Sequence, residues 1–89
     1  MQYVYVLRSQ KDGKLYIGCT NDLRRRLSEH NKGLVESTKQ CVPFDLLYYE
    51  SCLNPLDAFH REKYLKSTYG HRYIKNRLRH YFTGQVKPA

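Results

Sequence analysis

Apolar and polar positions in the first twenty residues fall into two strand-like runs. "QYVYVLR", residues 2–8, is β-branched and aromatic. "SQKDG" follows as a turn with the Asp12-Gly13 signal, and residues 14–20 return as a second strand, so the pair reads as a hairpin. Side chains alternate across a strand. Tyr3 and Tyr5 therefore share a face of the first strand, and Tyr16 and Gly18 share a face of the second. A connecting loop with an even number of residues brings Tyr5 and Tyr16 to the same face of the sheet; an odd loop separates them.

The apolar period then lengthens to that of a helix. Leu23, Leu27 and His30 form a stripe over residues 22–32, with Thr20 or Asn21 as N-cap and Gly33 just past the end. Arg26 flanks the stripe one turn before His30, while Arg24 and Arg25 point more toward solvent. Residues 34–45 read as loop, with Pro43 ahead of a third strand, "LLYYES", at 46–51. Asn54-Pro55 is a cap followed by a first-turn proline. The helix it opens is expected to reach Tyr69 and stop at Gly70, with the stripe Ala58, Glu62, Leu65 and Tyr69. A last helix over 71–82 carries Ile74, Leu78 and Tyr81. The order β-β-α-β-α-α predicts an α+β fold, a small sheet begun by a hairpin and flanked by helices. One domain is expected over residues 1–83, with a tail at 84–89. The place and direction of the third strand do not follow from the pattern.

Charge sharpens the picture. Lys and Arg total 16 against 8 acids, a formal net charge of +8 on 89 residues. That balance favours a polyanionic partner, nucleic acid before a membrane surface. Seven of the basic residues lie between Arg61 and Tyr81 with one acid, Glu62. Apolar runs such as 3–7 are far too short to span a bilayer, and Arg8 and Lys11 interrupt any signal-peptide core. A cytoplasmic, nucleoid-associated location is expected, with no membrane partner. Cys19, Cys41 and Cys52 are odd in number and form no CxxC pair. They read as reduced thiols, with neither a disulfide partner nor a zinc site. Oligomeric state is not encoded in any pattern here.

Phosphodiester cleavage needs an activated water, a cation near the non-bridging oxygens and a stabilised leaving oxygen, often through a metal held by a carboxylate. Tyr5, Tyr16, Arg26, His30 and Glu62 offer those chemistries. Their segments, "YVY" at 3–5, "YIG" at 16–18, "NDLRRRLSEH" and "AFHREKYLK", resemble the GIY-YIG nuclease family, in its small standalone bacterial form, over residues 2–82. The resemblance implies a three-stranded antiparallel sheet flanked by helices. It also implies one divalent metal, Mg²⁺ with Mn²⁺ as a substitute, on a helix glutamate. On this chain the motif tyrosines become Tyr5 and Tyr16, the catalytic arginine Arg26, the residue one turn later His30, and the metal ligand Glu62. Asn76 is the nearest match to a downstream asparagine of the family. Two positions depart from the pattern. Tyr3 replaces the first motif's glycine, and Cys19 stands where a repair-nuclease relative has lysine.

Each residue also has a plainer reading. A tyrosine base is demanding, because its unperturbed pKa is about 10; Arg26, a metal-bound water and a hydrogen bond to His30 would favour the phenolate. Glu62 can pair with Lys66 at i,i+4. On its apolar stripe, however, it needs a compensating cation, whether metal, Arg61 or Arg26. Arg24, Arg25, Lys63, Lys66 and Arg72 read as phosphate contacts, and His60, His71 and His80 as ordinary histidines. The leading expectation is a metal-dependent endonuclease acting on DNA, structured or single-stranded. A non-catalytic nucleic-acid-binding module is the alternative, with a protein–protein adaptor third.

Overall fold

A computed structural model describes residues 1–84. Strand β1, Gln2–Ser9, is the central strand of a three-stranded antiparallel sheet ordered β2-β1-β3, with β2 at Leu15–Thr20 and β3 at Phe44–Cys52. Four consecutive β1 residues, Val4, Tyr5, Val6 and Leu7, are at most 4% exposed. Burial of successive residues means that both faces of the strand are covered. Val4 and Val6 pack with Ala58, Leu65 and Ile74 on one face. Tyr5 and Leu7 pack with Phe44, Leu23 and Leu27 on the other. The third strand, left unplaced by the sequence, lies antiparallel to β1 on the edge away from β2, with an irregularity between Val6 and Leu7.

The hairpin parity is even. Ser9 bonds back to the Lys14 carbonyl across residues 10–13, and Gly13 takes a positive φ of 72° that suits glycine. Tyr5 therefore pairs with Gly18 and Leu7 with Tyr16, which sets Tyr5 and Tyr16 on the same face.

Helix α1 covers Leu23–Asn31. Its cap is Asp22, not Thr20 or Asn21, because the Asp22 carboxylate accepts from the Arg25 N–H at 3.1 Å while Thr20 Oγ1 accepts from the Asp22 N–H. Gly33 follows with φ 72°. A short 3₁₀ turn, Lys39–Cys41, interrupts the loop before β3.

On the opposite face, α2 spans Pro55–Lys66, capped by Asn54, whose side chain accepts from the Leu56 N–H at 2.8 Å. It stops three residues short of the expected end. Ser67 closes α2 and caps α3, Thr68–Arg77, by accepting from the Gly70 N–H. Gly70 is thus inside a helix. A β-carbon there would overlap the Tyr64 carbonyl and the Leu65 backbone, so the residue permits a tight helix–helix corner. The corner turns Tyr69 outward, at 69% exposed, and removes it from the predicted stripe. The expected last helix is split at Leu78 into α3 and a single turn α4, Arg79–Phe82. Ile74 is fully buried; Tyr81 is 45% exposed, and Phe82 packs on the core in its place.

Arg61 ties α2 to β3 through a two-pronged bond to Glu50, Nε to Oε1 at 2.8 Å and a terminal nitrogen to Oε2 at 2.9 Å. It is therefore Glu50's partner and not the counter-charge of Glu62. Among the described residues no helix is long and apolar enough to cross a membrane. The expected tail lies outside the described residues beyond Gly84.

Candidate active site

The edge strand β2 separates α1 from the α2–α3 layer, and a cavity of about 490 Å³ opens along it. Tyr5, Tyr16, Arg26, His30 and Glu62 all line this cavity. Four come from the α1 side of the sheet, Tyr5 from β1, Tyr16 from β2 and Arg26 and His30 from α1; Glu62 comes from α2. Gly18, opposite Tyr5 in the hairpin, makes the convergence possible. A β-carbon at Gly18 would overlap the Tyr5 ring and hydroxyl, so the bare backbone lets the phenol cross over β2. At the other odd motif position, Tyr3 packs edge-to-face on Tyr49 with ring centroids 5.9 Å apart.

Tyr5 is 4% exposed, and its Oη lies 2.9 Å from His30 Nε2. His30, equally buried, places Nδ1 2.8 Å from Thr38 Oγ1. Burial pushes the Tyr5 phenol above its ordinary pKa; contact with the Arg26 guanidinium opposes that rise without cancelling it. Burial, then the charge of Arg26, pushes His30 below its ordinary value. A neutral His30 beside a protonated Tyr5 follows. With the positive charge of Arg26 beside Oη, the phenol's own proton is assigned to Nε2, and Nδ1–H donates to Thr38. Arg26 also donates to Glu29 at 3.1 Å, which steadies the guanidinium from its own helix.

Tyr16 has different partners. Its hydroxyl donates to Asp12 Oδ2 at 2.7 Å and lies 3.1 Å from Cys41 Sγ. The bonds to Cys41 and Asp12 push its pKa well above that of free tyrosine. The expected bias toward phenolate is absent from both tyrosines. Burial dominates at Tyr5, and a carboxylate neighbour that repels a second negative charge contributes at Tyr16.

Among the described residues Glu62 is the one carboxylate lining the cavity. Its side chain is 20% exposed, and Oε2 pairs with Lys66 Nζ at 2.8 Å. Cys19 lines the cavity too, and burial, with the charge of Glu62 next, raises its thiol pKa. Cys19 is thus a neutral wall of the cavity.

The model of the GIY-YIG catalytic domain matches residues 1–74. The chain belongs to the GIY-YIG family. A UPF0213 protein of Clostridium perfringens is 42% identical over 67 residues, covering 74% of this chain and 71% of that protein. UPF0213 proteins of Streptococcus pneumoniae and Bacillus pumilus are 40% and 39% identical over 65 and 66 residues. Those matches cover 72% and 73% of this chain and 65% and 66% of the relatives, so the chain spans about two thirds of their length. No solved structure matches the chain.

The GIY-YIG domain is a nuclease-type scaffold that typically uses a divalent metal. Among the described residues no cluster of three or more His, Cys, Asp or Glu side chains could hold an ion. A single carboxylate in an open, water-accessible cavity nevertheless fits Mg²⁺. That ion keeps several waters and completes its shell with substrate phosphate. Glu62 would hold it, once released by Lys66.

The residues read as phosphate contacts are spread widely. Lys66 lines the cavity. Arg24 lies in a separate cleft with Tyr3 and Tyr49, and Arg25 is exposed near Glu29. Lys63 and Arg72 sit over the rings of Phe59 and Tyr69. Asn76 is exposed on α3 and is not among the residues lining the cavity, because Ile74, two positions earlier, takes the buried face of the helix. Thr38, Asp12 and Cys41 entered the site unpredicted. They lie in loops or turns without periodicity, where sequence gives no sign of which polar side chain turns inward. His71, read as an ordinary histidine, also lines the cavity.

Proposed function

We propose that this protein is a metal-dependent endonuclease that hydrolyses DNA phosphodiester bonds, acting in the cytoplasm on nucleoid DNA. The observation that carries the reading is the Tyr5–His30–Thr38 chain, at 2.9 and 2.8 Å, in one cavity with Arg26 and Glu62. Tyr5 is the better base of the two tyrosines. It has a neutral imidazole to receive its proton, whereas Tyr16 already donates to Asp12.

Phenolate need not accumulate. As water attacks phosphorus and the P–O bond to the leaving oxygen breaks, one water proton passes to Tyr5 Oη while the Tyr5 proton passes to His30 Nε2; the leaving oxygen takes its proton from solvent, to which His30 returns one. Thr38 holds Nδ1–H throughout. Arg26 meets the growing charge on the non-bridging oxygens with a planar fork. Glu62 would hold a divalent metal, which when bound would supply Lewis-acid stabilisation of the phosphate and the leaving oxygen. Tyr16, neutral and fixed by Asp12 and Cys41, lines the cavity on the same sheet face as Tyr5.

One observation favours a second reading, a nucleic-acid-binding module without catalysis. Glu62 is already neutralised by Lys66 at 2.8 Å, as a purely structural carboxylate would be. Cleavage separates the two. Single-stranded, duplex, branched and flapped DNA are incubated with Mg²⁺, with and without EDTA, using wild type, Tyr5→Phe and Glu62→Gln. The nuclease reading expects EDTA-sensitive cleavage of at least one substrate, lost by at least about 100-fold in Tyr5→Phe. It also expects a folded Glu62→Gln protein that binds DNA as well as wild type and does not cut. Binding without cleavage by wild type leaves the module reading.

A further inference from the structure

A second trough continues from the active-site cavity. Leu15 and His71 line both, so the two share a wall at the start of β2 and α3. The trough holds about 440 Å³ and is walled further by Arg8, Lys14, Lys75 and Phe82. Among the described residues none that lines it is acidic. Among the described residues, Arg8, Lys14 and Lys75 take part in no ion pair. Asp12 and Asp45, near Arg8 and Lys14 in chain or register, lie outside the lining of the trough. Asp12 accepts from the Lys14 N–H and the Tyr16 hydroxyl, and Asp45 accepts from the Gln10 amide. Arg8 is fixed in place without losing its charge: Nε donates to the Gly13 carbonyl at 3.2 Å, and the guanidinium rests 5.5 Å from the Phe82 ring.

We propose that this trough carries the sugar-phosphate backbone of the substrate strand away from the cleaved phosphate, with Lys14 and Lys75 on phosphates and Arg8 at its far end. The inference rests on the nucleic-acid reading above and adds a route to it. Lys14 lies four residues along the hairpin strand from Gly18, about 13 Å at the rise of a β-strand, which is enough for more than one nucleotide. The charge complementarity is one-sided, as a backbone requires, and it is continuous with the cavity holding Arg26. The basic residues that the sequence pattern singled out on α1 and α2 contribute only Lys66 to these two cavities besides Arg26. The trough thus assigns binding to a different set of side chains.

The test is the salt dependence of binding, measured without divalent metal so that cleavage plays no part. Fluorescence anisotropy of a labelled oligothymidylate and a labelled DNA duplex is followed over a range of NaCl. The tighter-binding probe is used for comparison. A Lys14→Ala/Lys75→Ala protein should lose the release of two counterions. Its log–log slope should flatten by about 1.4 on single-stranded DNA or about 1.8 on duplex. An Arg77→Ala/Arg79→Ala protein has the same net charge but lacks side chains only outside both cavities, and its slope should stay close to wild type. Separation of the two slopes supports the trough whether or not wild type cleaves either probe. Equal flattening in both variants, no flattening in either, or no binding by wild type overturns it. Cleavage by wild type alongside unseparated slopes would remove the trough and leave the nuclease reading intact.

Discussion

Thr38 decides which nitrogen of His30 faces Tyr5. Its Oγ1 is the buried partner of Nδ1, so it holds the tautomer whose Nε2 is free to accept a proton. Thr38→Val keeps the shape and removes the acceptor. A buried N–H without a partner costs about 1–3 kcal/mol, and the ring can lower that cost by moving its proton to Nε2. Turnover should then drop at least about 10-fold with little change in KM, because the loss falls on proton transfer and not on substrate contacts. Thr38→Ser should restore most of it. Nitrogen NMR of labelled histidine reads the tautomer directly. An unchanged tautomer with wild-type turnover in Thr38→Val would place Thr38 outside the proton path.

The α2–α3 corner fixes where Glu62 stands. Leu65 and Ala58 anchor α2 on β1, the Glu50–Arg61 bond ties it to β3, and Gly70 lets α3 close against its last turn. Gly70→Ala forces a methyl group into the Tyr64 carbonyl and the Leu65 backbone, neither of which can rotate away. Helix propensity alone would reward the change by up to about 1 kcal/mol. The clash should outweigh it, with a net loss of about 1–3 kcal/mol. At 4–8 °C per kcal/mol for a chain near this size, Tm should fall by at least about 4 °C. A Tm equal to or above wild type would mean that the corner has slack and that Gly70 is an ordinary helix residue.

Across the molecule, the perturbed groups define a pH window of stability. His30 is held below its ordinary pKa, so the unfolded chain binds its proton first as pH falls; stability is full above about 6.5 and declines below it. The bond to Arg61 holds Glu50 low, and the Lys14 N–H does the same for Asp12. Their contributions are present above about 4 and are lost on further acidification. Tyr5, Tyr16 and Tyr48 are raised, so the unfolded chain ionises first above about 10 and stability falls again. Cys19 is raised as well, so its unfolded thiol ionises first above about 8.5. Urea midpoints should therefore be highest between about pH 7 and 8.5, with the acid limb steepened by mutual repulsion in a chain of net charge +8. His30→Gln should remove the first acid step. A wild-type midpoint that rises between pH 7 and 5 would contradict the placement of a neutral His30 in the core.

Local chemistry made much of this molecule legible from its residues. β-branched and aromatic runs marked β1 and β2, the Asn54-Pro55 pair marked the start of α2, and the stripe of Leu23, Leu27 and His30 marked the inner face of α1. Each of these signals comes from neighbours within a few residues. The side chains of Tyr5, Tyr16, Arg26, His30 and Glu62 offered suitable chemistry one by one, and the resemblance to the GIY-YIG family grouped them as one candidate site. Long-range packing decided the rest. Nothing near residues 46–51 says that β3 must join β1 on the edge away from β2. Gly70 looked like a stop because glycine ends many helices, and only the approach of α3 to α2 shows that it serves as a spacer. Thr38, Asp12 and Cys41 reached the site through loops, where no period reports which way a side chain turns. The raised pKa of both tyrosines is likewise a property of burial and of partners distant in sequence. Desolvation and contact depend on what the folded chain places around a group, and no stretch of residues carries that information alone.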